Sequence, residues 1–181
     1  HRFVTAIHKK FPNAFLHWED FGRRNASHIL DAFKDKMCTF NDDIQGTGAV
    51  TLAALLAGAH VSGTPLKKHR ILVYGAGSAG TGISNQIVEA MVKHGLTVKE
   101  AYKQFWLIDR QGLLMDDDTS LTEAQKPYAR SKSERARWKY EGDGYPSLSD
   151  TVHHIKPTVL IGCSAQTGAF SQDIIQYMAK S

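Results

Sequence analysis

RILVYGAGSAGTGI, residues 70–83, places an unbroken apolar run directly before three glycines spaced as Gly75, Gly77 and Gly80. A continuous apolar run of this length reads as a parallel strand covered on both faces. The glycines complete a GxGxxG pattern, and ISNQIVEAMVKHG after them reads as a helix. A bare GxGxxG says little, but one that follows a strand and opens a helix has a mechanism. Gly75 permits a tight turn, Gly77 lets backbone approach a pyrophosphate, and Gly80 allows close helix–strand packing. The free N–H groups and positive end of the helix then favour the phosphates.

The pattern extends in both directions. TVKEAYKQ reads as a second helix and FWLID as a second strand, ending on Asp109. PTVLIGCS reads as a third strand, SLSDTVHHI before it as a serine-capped helix, and SQDIIQYMAKS as a final helix. Strands alternating with helices predict an α/β, Rossmann-type, doubly wound parallel sheet. Upstream, residues 1–10 and FGRRNASHILDAFKDK read as helices, with AFLHW and MCTF as short strands. Residues 47–59 read as a buried apolar helix ending near Gly63 and Pro65. Residues 112–150 read as polar and irregular, with helical pieces near 122–138.

Asp109 carries a carboxylate suited to ribose hydroxyls, although it lies 29 residues beyond Gly80, against about 20 in the simple unit. Its charge disfavours a 2′-phosphate and so favours NAD over NADP, while the adjacent Arg110 pulls the other way. The alternative is a glycine-rich turn with a surface aspartate. Agreement of strand, loop and acid in order favours the cofactor reading. The small residues Ser164 and Ala165, in GCSAQTG at 162–168, follow the third strand, where ligands of open α/β sheets sit. An ordinary turn explains them equally well.

Two acidic pairs, Glu19-Asp20 and Asp42-Asp43, each follow a strand-like stretch. Neighbouring side chains inside a strand point to opposite faces, so both members of a pair face one ion only at a strand end or in a loop. Convergent carboxylates repel unless a cation or proton lies between them. Oxygen donors suit Mg²⁺ or Mn²⁺. Capping of the following helix by Asp42 or Asp43 is the alternative, and spacing alone favours it.

Composition bounds the rest. The 181 residues, 42% of them hydrophobic, suffice for one domain with a sizeable core. No run of eighteen uninterrupted apolar residues predicts a membrane span. The net charge of +4 is spread out, and its densest run, residues 129–139, carries an acid and reads as a solvated helix face rather than a nucleic-acid patch. Cys38 and Cys163, outside any CxxC, fit a reducing compartment. His153-His154 reads as surface. No signal-peptide pattern opens the chain, and the lack of a start methionine suggests part of a longer polypeptide.

WEDFGRRNA, FNDDIQGTGAVTLA, GAGSAGTGI, WLIDRQGLL and KPTVLIGCSAQTG together resemble the malic enzyme family over nearly the whole chain. The resemblance implies that Glu19, Asp20 and Asp43 bind Mn²⁺ or Mg²⁺, with Asp42 behind them. It implies that Gly75, Ala76, Gly77, Ser78, Ala79 and Gly80 form the NAD loop, joined by Asp109, Arg110, Ser164 and Ala165. Residues 1–41 would end the catalytic domain, and 42–181 would form most of the NAD-binding domain. The family's general-base lysine and general-acid tyrosine would lie upstream of residue 1, and its substrate-contacting asparagine beyond residue 181. The implied reaction converts L-malate to pyruvate and CO₂ in a cytoplasmic homo-oligomer, with no turnover by residues 1–181 alone. HWEDFGR, GTGAV and EAQKPYAR equally resemble malolactic enzymes, which release lactate without net NADH. A non-catalytic NAD-binding module is the alternative from another class.

Overall fold

The computed structural model describes residues 1–21, 23–140 and 144–180. Gly22 and the acidic border at 141–143 lie outside the described residues. Helix α1 (Arg2–Lys10) is followed by β1 (Leu16–Trp18), α2 (Arg23–Phe33) and β2 (Thr39–Asn41). The β1 and β2 strands form a two-stranded parallel sheet, registered Leu16 to Thr39 and Trp18 to Asn41. The Trp18 indole N–H donates to the Thr39 hydroxyl, which in turn donates to the Leu16 carbonyl. A wide five-residue turn, Asp42–Gly46, then leads into α3 (Thr47–Ser62).

The main sheet is built from β3 (Ile71–Tyr74), β4 (Phe105–Asp109), β5 (Gly112–Leu113) and β6 (Val159–Gly162), in the order β5-β4-β3-β6. Strands β4 and β6 flank β3 in parallel, and β5 closes one edge antiparallel. Alternation divides the core into two layers. Ile71, Val73, Phe105 and Leu107 face α4 (Ser78–Lys93), meeting its buried Ile83, Ile87 and Met91. Leu72, Trp106 and Ile108 face α7 (Leu148–Ile155) and α8 (Gln172–Lys180), meeting Val152, Ile155 and Ile174. Helices thus cover both faces, as the doubly wound reading requires. Full burial of a side chain such as Ile87 contributes about 1.5–3 kcal/mol.

Capping places the helices. Thr97 and Glu100 form a reciprocal capping box at the start of α5 (Val98–Tyr102), and Ser147 and Asp150 form one on α7. The segment after β5 is less irregular than its composition suggests. Arg130 N–H donates to the Leu114 carbonyl at 2.8 Å, and the Arg130 carbonyl accepts from Asp116 N–H at 2.9 Å. In the basic run, only Lys132–Arg135 (α6) is α-helical. Two of the run's arginines are engaged: Arg130 pairs with Glu134 and lies over the Trp106 ring, while Arg135 pairs with Asp117.

Helix α3 departs from expectation. It packs on α4, yet only Gly48, Leu55 and Ala59 are buried, and Val50 and Val61 are 72% and 87% exposed. An apolar sequence shows that a helix can be covered, not which element covers it. Together with its opening turn, the stretch Asp42–Ser62 is long and apolar enough to cross a membrane by length and composition. Its first turn nevertheless carries two carboxylates, and Leu55 joins the core of the sheet layer.

Candidate cofactor cleft and acidic pocket

The chain passes from β3 to β4 on one side and returns to β6 on the other. A crevice therefore opens beyond the carboxyl ends of β3, β4 and β6. A cleft of about 260 Å³ occupies it, lined by Gly75, Gly77, Asp109, Arg110, Cys163 and Ser164. It adjoins a second cleft of about 420 Å³ walled by Ala165 and Phe170, with Tyr74, Ser164 and Gln166 common to both.

Gly75 has φ of 110°, and a Cβ there would lie 2.6 Å from the Cys163 carbonyl carbon and the Ser164 nitrogen. Only glycine combines that backbone with that approach. A Cβ on Gly80 would overlap the Gly75 carbonyl oxygen and press on Val73, so α4 sits close against β3. The N–H groups of Gly75 and Ala76 both donate to the Ile108 carbonyl, at 2.8 and 3.0 Å. The first intrahelical bond of α4 runs from Thr81 N–H to the Gly77 carbonyl at 2.8 Å. The N–H groups of Ser78, Ala79 and Gly80 precede it, with no side-chain cap and no acid in the first turn. An uncapped helix start of this kind receives an anion.

Asp109 is held rather than loose. Its Oδ1 accepts from Arg110 N–H at 3.0 Å, and its Oδ2 accepts from Gln125 Nε2 at 2.8 Å. The same amide donates to the Ala76 carbonyl at 2.9 Å, and Gln125 Oε1 accepts from the N–H and hydroxyl of Thr122. Buried Gln125 thus ties the acid to the glycine loop. Sequence reading overlooked it. The Thr122-x-x-Gln125 capping spacing was its one local signal. Burial raises the pKa of the Cys163 thiol, so it stays protonated at neutral pH.

The second feature forms where β1 and β2 end. Their register pairs Trp18 with Asn41, so Glu19-Asp20 and Asp42-Asp43 leave the strands side by side. His17, Glu19 and Asp42 each offer a ligand atom within 4.8 Å of the other two, the one such group found among the described residues. Asp20 and Asp43 lie outside this triplet. Asp20 is exposed with φ of 58°, a left-handed conformation that aspartate tolerates better than most residues. Asp43 Oδ2 is buried without a hydrogen-bond partner among the described residues. The capping alternative resolves in favour of a third residue: Asn41 Oδ1 accepts from Ile44 N–H at 3.0 Å, which leaves both aspartates uncommitted as caps. An orphaned buried carboxylate oxygen is a candidate ligand for a divalent cation.

The two features share a seam. Gln86 Nε2, on α4, donates to the Gln45 carbonyl in the acidic turn at 3.0 Å. Ile44 packs over Gly82 of the same helix.

Fold and cleft together define a dinucleotide-binding α/β domain with an acidic pocket fastened to its first helix. Comparison with known proteins narrows this. The family model "Malic enzyme, NAD binding domain" matches residues 44–181. NAD-dependent malic enzyme 3 of Bacillus subtilis is 53% identical over 98% of the chain, and the malolactic enzyme of Lactiplantibacillus plantarum 47% identical over 98%. The chain spans about a third of each, 31% and 32%. The crystal structure of the NAD-dependent malic enzyme of Thermotoga maritima superposes with a TM-score of 0.73 at 24% identity, covering 98% of this chain and 42% of that one. The chain belongs to the malic enzyme family and carries its NAD-binding domain.

Proposed function

We propose that the full polypeptide containing this chain oxidatively decarboxylates L-malate to pyruvate and CO₂ with NAD and a divalent cation, Mn²⁺ or Mg²⁺. The observation that carries this is the seam. One helix, α4, opens the dinucleotide loop at its start and grips the acidic turn through Gln86. When bound, NAD accepts the hydride from malate C2 and the cation polarises the C2 oxygen.

This chain's residues bind and orient. Gly75, Ala76, Gly77, Ser78, Ala79 and Gly80 shape the loop around the pyrophosphate. Asp109, preset by Gln125, receives the adenosine ribose and repels a 2′-phosphate, so NAD is preferred despite Arg110. Ser164 and Ala165 form the opposite wall. Glu19, Asp20 and Asp43 hold the cation, and Asp42 supports them from behind. The buried, unpartnered Asp43 Oδ2 supports this assignment. Residues 1–41 close the catalytic domain, and 42–181 form the cofactor domain.

The family resemblance supports a cytoplasmic homo-oligomer. The pairing of Arg130 and Arg135 with acids inside the basic region supports the absence of a nucleic-acid partner. The 47% identity to a malolactic enzyme favours one second reading, in which pyruvate is reduced to lactate before release. Following NADH absorbance and lactate together on the full-length protein separates the two. NADH formed one-for-one with pyruvate supports the malic reading. Lactate without net NADH supports the other. Failure to use malate at all would refute both.

A further inference from the structure

The segment Gly46-Thr47-Gly48 carries two glycines whose backbone does not call for glycine. Gly46 has φ of −67° and ψ of −51°, Gly48 lies inside α3, and neither has a positive φ. Glycine is a poorer helix former than alanine, and what it supplies here is space. A Cβ on Gly48 would overlap Gln86 Nε2 and lie 2.6 Å from Gln86 Cδ and 3.0 Å from its Oε1. The terminal amide of Gln86 therefore rests where the side chain of residue 48 would be. Gly58 of the same helix has nothing within 4 Å of such a Cβ. Gly46 repeats the arrangement for an acid, since a Cβ there would overlap Asp42 Oδ1.

From its seat on Gly48, the Gln86 amide donates to the Gln45 carbonyl at 3.0 Å. Gln45 is tied on its other side as well. Its Oε1 accepts from Asn41 N–H at 2.9 Å, while Asn41 Oδ1 accepts from Ile44 N–H at 3.0 Å. Asn41 and Gln45 thus bracket Asp42 and Asp43, and Gln86 fastens that bracket to α4. Gln86 lies about two turns along α4 from Ser78, which starts the helix.

We propose that Gln86 is a positioning residue for the divalent cation and that Gly48 is the seat that lets it act. Together they hold the Asp42–Asp43 turn in place against the cofactor helix. The inference rests on the metal-pocket reading above and deepens it. Carboxylates already held in place lose less freedom when a cation binds. NAD settled on the start of α4 restrains the acidic turn further through the same bond.

The test is the Mn²⁺ affinity of the full-length protein saturated with NAD, read from the EPR signal of free Mn²⁺, in Gln86→Leu, Gly48→Ala and the double variant. Gln86→Leu keeps the bulk of the side chain and removes its donor. Gly48→Ala keeps the donor and removes its seat. The flexible end of Gln86 gives way to the new methyl group, so the helix persists, and a Tm close to wild type in the metal-free state verifies this. Each single variant should weaken Mn²⁺ binding by about fivefold or more. The double variant should lose no more than either one, because both changes remove the same bond. Losses that multiply in the double variant, or an unchanged Mn²⁺ affinity in either single variant, overturn the pair and leave the metal pocket standing. Mn²⁺ binding that Asp43→Asn does not weaken overturns the pocket assignment itself.

Discussion

Replacing Gln125 with glutamate tests whether Asp109 is preset for the ribose. In the wild type, one amide N–H₂ donates both to Asp109 Oδ2, at 2.8 Å, and to the Ala76 carbonyl, at 2.9 Å. In Gln125→Glu an oxygen takes the amide's place and faces two acceptors. Two full charges 2.8 Å apart would repel by about 6 kcal/mol at an effective dielectric constant of about 20. The pair instead takes up a proton, and its pKa rises above the usual carboxylate range. The shared proton satisfies only one of the two former acceptors. Leaving the buried Ala76 carbonyl without its donor costs about 1–3 kcal/mol, or roughly 5- to 150-fold in NAD affinity if all of it appears in binding. The assay is NAD affinity of the full-length protein by calorimetry between pH 6 and 8.5. Gln125→Glu should bind most weakly at pH 8.5 and recover as pH falls and the pair is protonated. Gln125→Met should be weakened without that pH dependence. A Gln125→Glu protein that binds like wild type across the range would refute the reasoning.

Three further outcomes follow from the same geometry. Gly75→Ala must adopt φ near 110° with its Cβ against the Cys163–Ser164 backbone, so it should lose about 3 kcal/mol or more of stability, read as Tm, along with NAD binding. A thiol reagent at pH 7.5 should modify exposed Cys38 well before Cys163, whose thiol burial keeps protonated; Cys163 should gain reactivity only as pH rises, and NAD should slow it further because Cys163 lines the cleft. Gln86→Ala removes the bond from α4 to the Gln45 carbonyl and should reduce the mutual enhancement of Mn²⁺ and NAD binding by about fivefold or more while leaving NAD affinity alone nearly unchanged, as measured by titrating each ligand with and without the other.

The parts of this fold that sequence revealed are those whose signals are local. Strand β3 reads as Ile71-Leu72-Val73-Tyr74 because both its faces are covered, and Gly75 and Gly80 sit where a side chain has no room. The capping boxes of α5 and α7 lie within four residues of sequence. The cap of the acidic turn was harder to read, since Asn41, Asp42 and Asp43 are all competent caps and only the backbone path selects Asn41. Gln125 escaped because its two bonds reach 16 and 49 residues along the chain. His17 escaped for a related reason: its company with Asp42 depends on the β1–β2 register, which no single segment encodes. The exposure of α3 was illegible because composition records how apolar a helix is and not what lies against it.

The central claim is that the glycine loop and the acidic pocket serve one reaction on malate. Its most direct test is a turnover assay of the full-length protein with L-malate, NAD and Mn²⁺, with Asp43→Ala as the comparison. The account predicts NADH and pyruvate in equal amounts from the wild type and loss of Mn²⁺-dependent turnover in Asp43→Ala. Unchanged Mn²⁺ dependence and rate in Asp43→Ala, or no NAD-linked conversion of malate by the wild type, would contradict it.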